Sequence, residues 1–142
     1  MFVIEAGANI TVSNADYDPG TGSLILTDNG HNFSGPTQHS ITTANYNPIV
    51  GIMTLTMPSH GFSNGDLVKL EDGAITFSCD LDNRATTHPY PRYGDPASKK
   101  YLPISNVTTN TFRLDVGTSS NTSQHYFEAG ATGGVKKANS IV

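Results

Sequence analysis

Cys79 is the only thiol in the 142-residue chain, and His60 or His88 could join it in metal binding or nucleophilic chemistry. A reactive thiolate needs an electropositive, partly open setting. Cys79 follows Ile75 and Phe77 at strand spacing, so it is expected to point into a core with them and to be inert. Asp80, Asp82 and Asn83, with Asp95 further on, are hard oxygen donors of the kind that hold Ca²⁺. They lack the glycine and distal glutamate of an EF-hand loop, and Asp and Asn are ordinary turn residues. The same carboxylates are the one cluster that could serve as a glycosidase pair. No Ser/His/Asp set, phosphate-cradling glycine loop or zinc pattern occurs. The expectation is a chain that is not an enzyme, with no catalytic residue, cofactor or metal.

A second kind of chemistry is contact. The segment from Asp80 to Tyr101 gathers Arg84, His88, Tyr90, Arg92, Tyr93, Lys99, Lys100 and Tyr101. Aromatic rings beside arginine give large binding area for little lost entropy, which suits a subunit interface or a glycan. The plainer reading is that Tyr90, Pro91 and Pro96 pin a long loop against its own sheet.

The elements that must position these residues are strands. Only 14% of the residues are charged, against roughly 25% in typical soluble proteins. The polar residues are instead 17 Thr, 13 Ser and 12 Asn, with 14 Gly, which suit pleated surfaces and hairpin turns rather than helices. A net charge of −4 offers no footprint for nucleic acid. No run approaches the ~20 apolar residues of a membrane-spanning helix, and no signal segment is expected at the start. With one cysteine, no disulfide within the chain can form.

An internal repeat sets the organisation. At an offset of 29, residues 15–27 (ADYDPGTGSLILT) fall on residues 44–56 (ANYNPIVGIMTLT), and His31, Phe33 and Ser34 fall on His60, Phe62 and Ser63. Nine of the twenty residues 15–34 are identical across this offset, so the repeat is genuine. Each copy reads as a hairpin: strands at 9–14 and 23–27, then at 39–43 and 52–57, around a turn of Tyr, Asp or Asn, Pro and Gly. His31 and His60 therefore share one structural duty. A weaker echo places 123–129 on 37–43, matching His125 to His39 and suggesting a module of about 86 residues followed by a new beginning.

Further strands are expected at 66–70, 74–79, 102–107, 111–116 and 124–128. Asp72-Gly73 and Thr108-Thr109-Asn110 are hairpin signals. One helical turn is expected at 95–99, with Asp95 as cap and Pro96 following. The predicted fold is all-β with negligible helix: a small antiparallel β-sandwich or barrel at 37–131, preceded by a half-repeat hairpin at 1–36. Residues 132–142 read as a flexible tail or the start of a next module.

The order of motifs HGFSNGDLV (60–68), AITFSCDLD (74–82), YPRYGDP (90–96) and LPISNVTTNTFRLDVG (102–117) resembles a known family. It is similar to the tandem-repeat modules of large virion structural proteins in tailed phages of marine cyanobacteria. The resemblance covers residues 37 to 131, though this chain carries one complete copy where those proteins carry arrays. It implies a structural or adhesive role in the tail, fibre or capsid surface of a particle, including a free-standing decoration protein. Implied partners are copies of itself and other virion proteins, with no nucleic acid and no membrane insertion. The location implied is the virion, assembled in the host cytoplasm and extracellular after lysis. The alternative is a fibre module binding a host receptor or glycan through Arg84, His88, Tyr90, Arg92, Tyr93, Lys99 and Tyr101.

Overall fold

A computed structural model describes residues 13–27 and 38–138, which fall in two compact units divided after Thr37. Both are built from strands. The only helical element among the described residues is a single 3₁₀ turn at Asp80–Asp82. The expected helical turn at 95–99 is a run of hydrogen-bonded turns instead, closed by Ser98 N–H to the Asp95 carbonyl at 2.9 Å and by Lys100 N–H to Ala97 at 3.3 Å. Two bonds of this kind do not repay helix nucleation.

The first unit contains a hairpin of β1 (Asn14–Asp18) and β2 (Ser23–Thr27), paired Asn14 to Thr27 through Asp18 to Ser23. The second unit begins with its structural copy. There β3 (Thr43–Asn47) and β4 (Ile52–Thr56) pair Thr43 to Thr56 through Asn47 to Ile52, so every ladder pair is displaced by 29 residues. The turns also correspond. Gly22 and Gly51 sit at φ 71° and 76°, donating to the carbonyls of Asp18 and Asn47 at 2.8 and 2.9 Å. The Asp18 carboxylate takes the Gly20 N–H at 2.8 Å, as the Asn47 side chain takes that of Ile49 at 3.0 Å. These interactions correct the expected first strands. The turn begins at Pro19 and Pro48, so Tyr17 and Tyr46 belong to the ladders, and the strands run on through 14–18 and 43–47 where the expectation ends them at 14 and 43. Residues 9–12 of that expectation lie outside the described residues, as does His31.

The second unit is an antiparallel, sandwich-like module. Beyond β4 come β5 (Leu67–Leu70), β6 (Ile75–Cys79), β7 (His88–Tyr90), β8 (Leu102–Ser105), β9 (Thr111–Asp115), β10 (His125–Gly130) and β11 (Val135–Lys137). Six strands form one sheet in the order β11, β5, β8, β9, β4, β3, and three form another in the order β10, β6, β7. One core joins them: Met53 and Leu55 from β4, Phe112 and Leu114 from β9, and Ile75 and Phe77 from β6 are all buried. Alternating burial along β4 and β9 is the period-two pattern of strands with one face inward.

Asp72-Gly73 makes a turn but not a hairpin. The turn is closed by Ala74 N–H to the Glu71 carbonyl at 3.0 Å, yet β5 pairs with β8 and β11 while β6 pairs with β10 and β7. The chain here crosses from one sheet to the other. Thr108 to Asn110, by contrast, joins two strands that do pair, β8 and β9.

Two stretches were expected to be different. The segment 123–129 supplies β10, paired with β6 inside this module, whereas the described part of its echo, 38–42, is irregular up to β3 apart from a Ser40–Thr132 bridge. It completes the module instead of opening another. Residues 135–137, read as tail or next module, form β11, whose Val135 is buried and pairs with Leu70. The glycines that suggested flexibility allow close approach: a Cβ on Gly134 would lie 2.8 Å from the Ala74 Cβ, and the Gly134 carbonyl accepts the Glu71 N–H at 2.9 Å.

Candidate functional site

The ladder places Cys79 at the end of β6, directly opposite His125 on β10. Beyond Cys79 the chain makes its 3₁₀ turn and passes through Asn83 and Arg84, both left-handed, with the Arg84 N–H returning to the Cys79 carbonyl at 2.9 Å. It comes back as β7, in which His88 pairs with Phe77. This return brings His88 Nε2 to 3.9 Å from the Cys79 sulfur and 4.0 Å from an Asp82 carboxylate oxygen. Thr86 fixes the carboxylate, giving it both a backbone and a hydroxyl hydrogen bond. These bonds hold the Asp82 pKa below the usual carboxylate value. The other Asp82 oxygen, Oδ1, is buried without a hydrogen-bond partner.

Cys79, His88 and His125 line a cavity of about 510 Å³, walled by Tyr46, Phe77, Tyr90 and the 116–121 segment. That volume falls in the range of small-ligand pockets, roughly 300–1,000 Å³. The His125 ring packs edge-on against Tyr46 and Phe77, and its Nδ1 is buried and unpartnered. Asn121 reaches in from the 116–121 segment, its amide donating to the Cys79 sulfur at 3.8 Å. Cys79 is 2% exposed, in line with the inward direction read from its spacing. What the spacing does not reveal is that a histidine and a carboxylate converge on it.

His60 is elsewhere. It is buried against Phe62 and Phe112, with ring centroids 4.9 and 5.1 Å away, and its Nδ1 accepts the Phe62 N–H at 2.9 Å. This is a structural duty in a turn. The acidic residues expected as a cluster each have a partner of their own: Asp80 accepts from the Tyr126 hydroxyl, Asp82 from Thr86, and Asp95 from Arg92.

The contact loop divides similarly. His88, Tyr90 and Arg92 reach the cavity wall, where burial raises the Tyr90 phenol pKa, while Pro91 and Ala97 are buried. Arg84 turns away to pair with Glu128 at 2.9 Å and to stack on Tyr126, 4.4 Å from the ring centroid. Lys99 lies over Tyr93, and Tyr101 lies beside Lys69 of β5. Tyr93, 88% exposed, is the ring most open to solvent in this loop. Sequence reasoning missed His125, Asp82 as a partner of Cys79, and Asn121. The 123–129 echo had matched His125 only to His39.

Burial pushes the pKa of both His60 and His125 below the ordinary imidazole value. Both rings fold neutral, whereas the unfolded chain takes up their protons near pH 6.5. The unfolded state therefore binds more protons as pH falls through that value, and stability present above it is lost below it. The melting temperature is expected to fall between pH 7.5 and 5.5, with a shallower slope in a His60→Asn, His125→Asn double variant. A midpoint constant across that window would contradict the assignment.

No protein-family model matches the chain, and comparison with curated proteins and with solved structures returned no match.

Proposed function

We propose that this chain is a non-catalytic structural module of a virus particle that works by assembling with further copies of itself. The observation that carries the assembly reading is the inequality between two otherwise equivalent hairpins. In the second, the face bearing Ala44, Tyr46, Met53 and Leu55 packs on the core, and β4 pairs along its outer edge with β9. In the first, the matching residues Tyr17 and Leu24 are 60% and 57% exposed, and Ile25 on the opposite face is 61% exposed. Among the described residues, β2 pairs with β1 alone.

A hairpin with this face in water is marginal by itself. Fully burying each large side chain is worth about 1.5–3 kcal/mol, and a free strand edge is a template for another chain. A neighbouring copy can supply both the cover and the edge, as β9 and the core do for β4. The assignment to a tailed-phage particle draws on the ordered motifs between residues 60 and 117. The aromatic and basic residues of the 80–101 loop are largely engaged with their own module, which favours assembly over a dedicated glycan contact.

Sedimentation of the full chain is expected to show a concentration-dependent oligomer, converted to monomer by Tyr17→Glu with Leu24→Glu while the circular-dichroism spectrum stays β-rich. A wild-type chain that is monomeric at every concentration, or an oligomer indifferent to both substitutions, would sink the proposal.

A further inference from the structure

Three side chains of different ligand chemistry meet at the β6–β7 return. The Cys79 sulfur, one Asp82 carboxylate oxygen and a His88 ring nitrogen all lie within 4.8 Å of one another. Tetrahedral zinc, with sulfur at about 2.3 Å and nitrogen or oxygen at about 2.0–2.2 Å, sets its donors roughly 3.3–3.6 Å apart. The gaps of 3.9 Å from sulfur to His88 and 4.0 Å from His88 to Asp82 exceed this by about half an ångström, and the sulfur-to-carboxylate gap is within 4.8 Å, so the three donors must draw together to close on a cation.

The surroundings match what such a centre requires. Thr86 donates to Asp82 Oδ2, the oxygen that lies 4.0 Å from His88 Nε2, and its hydroxyl is itself 3.4 Å from that nitrogen; Oδ1 is buried and unpartnered, so the oriented carboxylate keeps a free acceptor that can turn to a cation. The Asn121 amide donates to the Cys79 sulfur at 3.8 Å, the kind of outer contact that orients a ligand atom. Cys79 and His88, though not Asp82, line the cavity that His125 shares, so a fourth, exchangeable ligand can approach from the side of the sulfur and the imidazole.

We propose that Cys79, Asp82 and His88 bind one zinc-class divalent cation, with the fourth coordination position supplied from the cavity. Sulfur, imidazole and carboxylate together suit zinc and its cobalt surrogate, and disfavour calcium and magnesium, which take oxygen donors. Binding deprotonates the thiol and releases that proton to solvent, with no change in oxidation state. The cation ties the end of β6 to the start of β7, so it is expected to raise the melting temperature of the second unit.

The test is titration of the reduced, chelator-treated full chain with Co²⁺, followed by Zn²⁺. The expected result is one Co²⁺ per chain with a thiolate-to-cobalt charge-transfer band and tetrahedral visible bands, all abolished by one equivalent of Zn²⁺. Cys79→Ser is expected to remove the charge-transfer band, and His88→Ala to weaken binding by about 100-fold or more, while Asp80→Asn, one residue away, leaves both unchanged. If Cys79→Ser fails to fold, Asp82→Asn, at a partly exposed position, is expected to weaken binding and keep the β-rich spectrum. Absence of the charge-transfer band in the wild-type chain overturns the proposal. So does Co²⁺ affinity unaltered in His88→Ala or Asp82→Asn.

Discussion

Phe112→Ala is expected to destabilise the second unit by about 3–5 kcal/mol, the range for emptying a buried aromatic site. Phe112 is wholly buried on β9, opposite Leu55 of β4, and its ring meets Phe62 and His60 edge-on at 5.4 and 5.1 Å. Removing it opens a space that strands hydrogen-bonded on both sides of β9 cannot close. It also uncovers His60, whose Nε2 is buried without a partner and would then meet whatever solvent enters. Domains of this size are stable by about 5–15 kcal/mol, so the loss is a large share of the total. Urea denaturation of wild type, Phe112→Ala and Phe112→Leu separates the terms, with leucine expected to cost less than alanine. A Phe112→Ala loss below about 1 kcal/mol would mean the three rings do not pack as described.

One substitution at two equivalent glycines should give two different outcomes. Gly51→Ala puts a side chain at φ 76° and drives its Cβ to 2.6 Å from the Gly117 carbonyl carbon and 2.8 Å from the Thr118 nitrogen. The left-handed conformation alone costs a non-glycine residue about 1–3 kcal/mol. Backbone atoms cannot rotate aside, so the clash adds to this by pushing the 116–121 segment away from β4. That displacement would break the bond from Val116 N–H to the Gly51 carbonyl, 2.8 Å long, and loosen the cavity wall. Gly22→Ala meets the same φ preference at 71° but no atom within 4 Å of the added carbon. It is expected to cost about 1 kcal/mol, confined to its hairpin. Melting curves of both variants, with amide exchange along β4 and 116–121, check the contrast. Equal losses would show that close approach to Gly117 contributes nothing.

Much of this fold was legible because its signals are local. Alternation marked β4, β5, β6, β8 and β9 almost to their ends, and the 29-residue repeat announced two hairpins whose ladders do correspond pair by pair. What escaped was set by distant partners. β7 and β11 are three residues each, containing a proline or two lysines, and are strands only because β6 and β5 lie beside them. The Asp72-Gly73 dipeptide indicated a turn correctly, but not that the chain would change sheets there. The convergence of Cys79, Asp82 and His88 needed the β6–β7 register, and Asn121 joins from 42 residues away. No local pattern encodes such a meeting.

Two of the module's four edge strands, β7 and β11, have a consequence for its behaviour in crowded solution, and β3 and β10 end the sheets on the other side. β7 carries Pro89, which has no N–H to offer, and β11 carries Lys136 and Lys137 along its rim. Each discourages indiscriminate stacking into fibrils, the usual hazard of a threonine-rich sheet. Those two rims are fenced against strand addition, and the rims of β3 and β10, which carry neither proline nor lysine, are the ones left open to it.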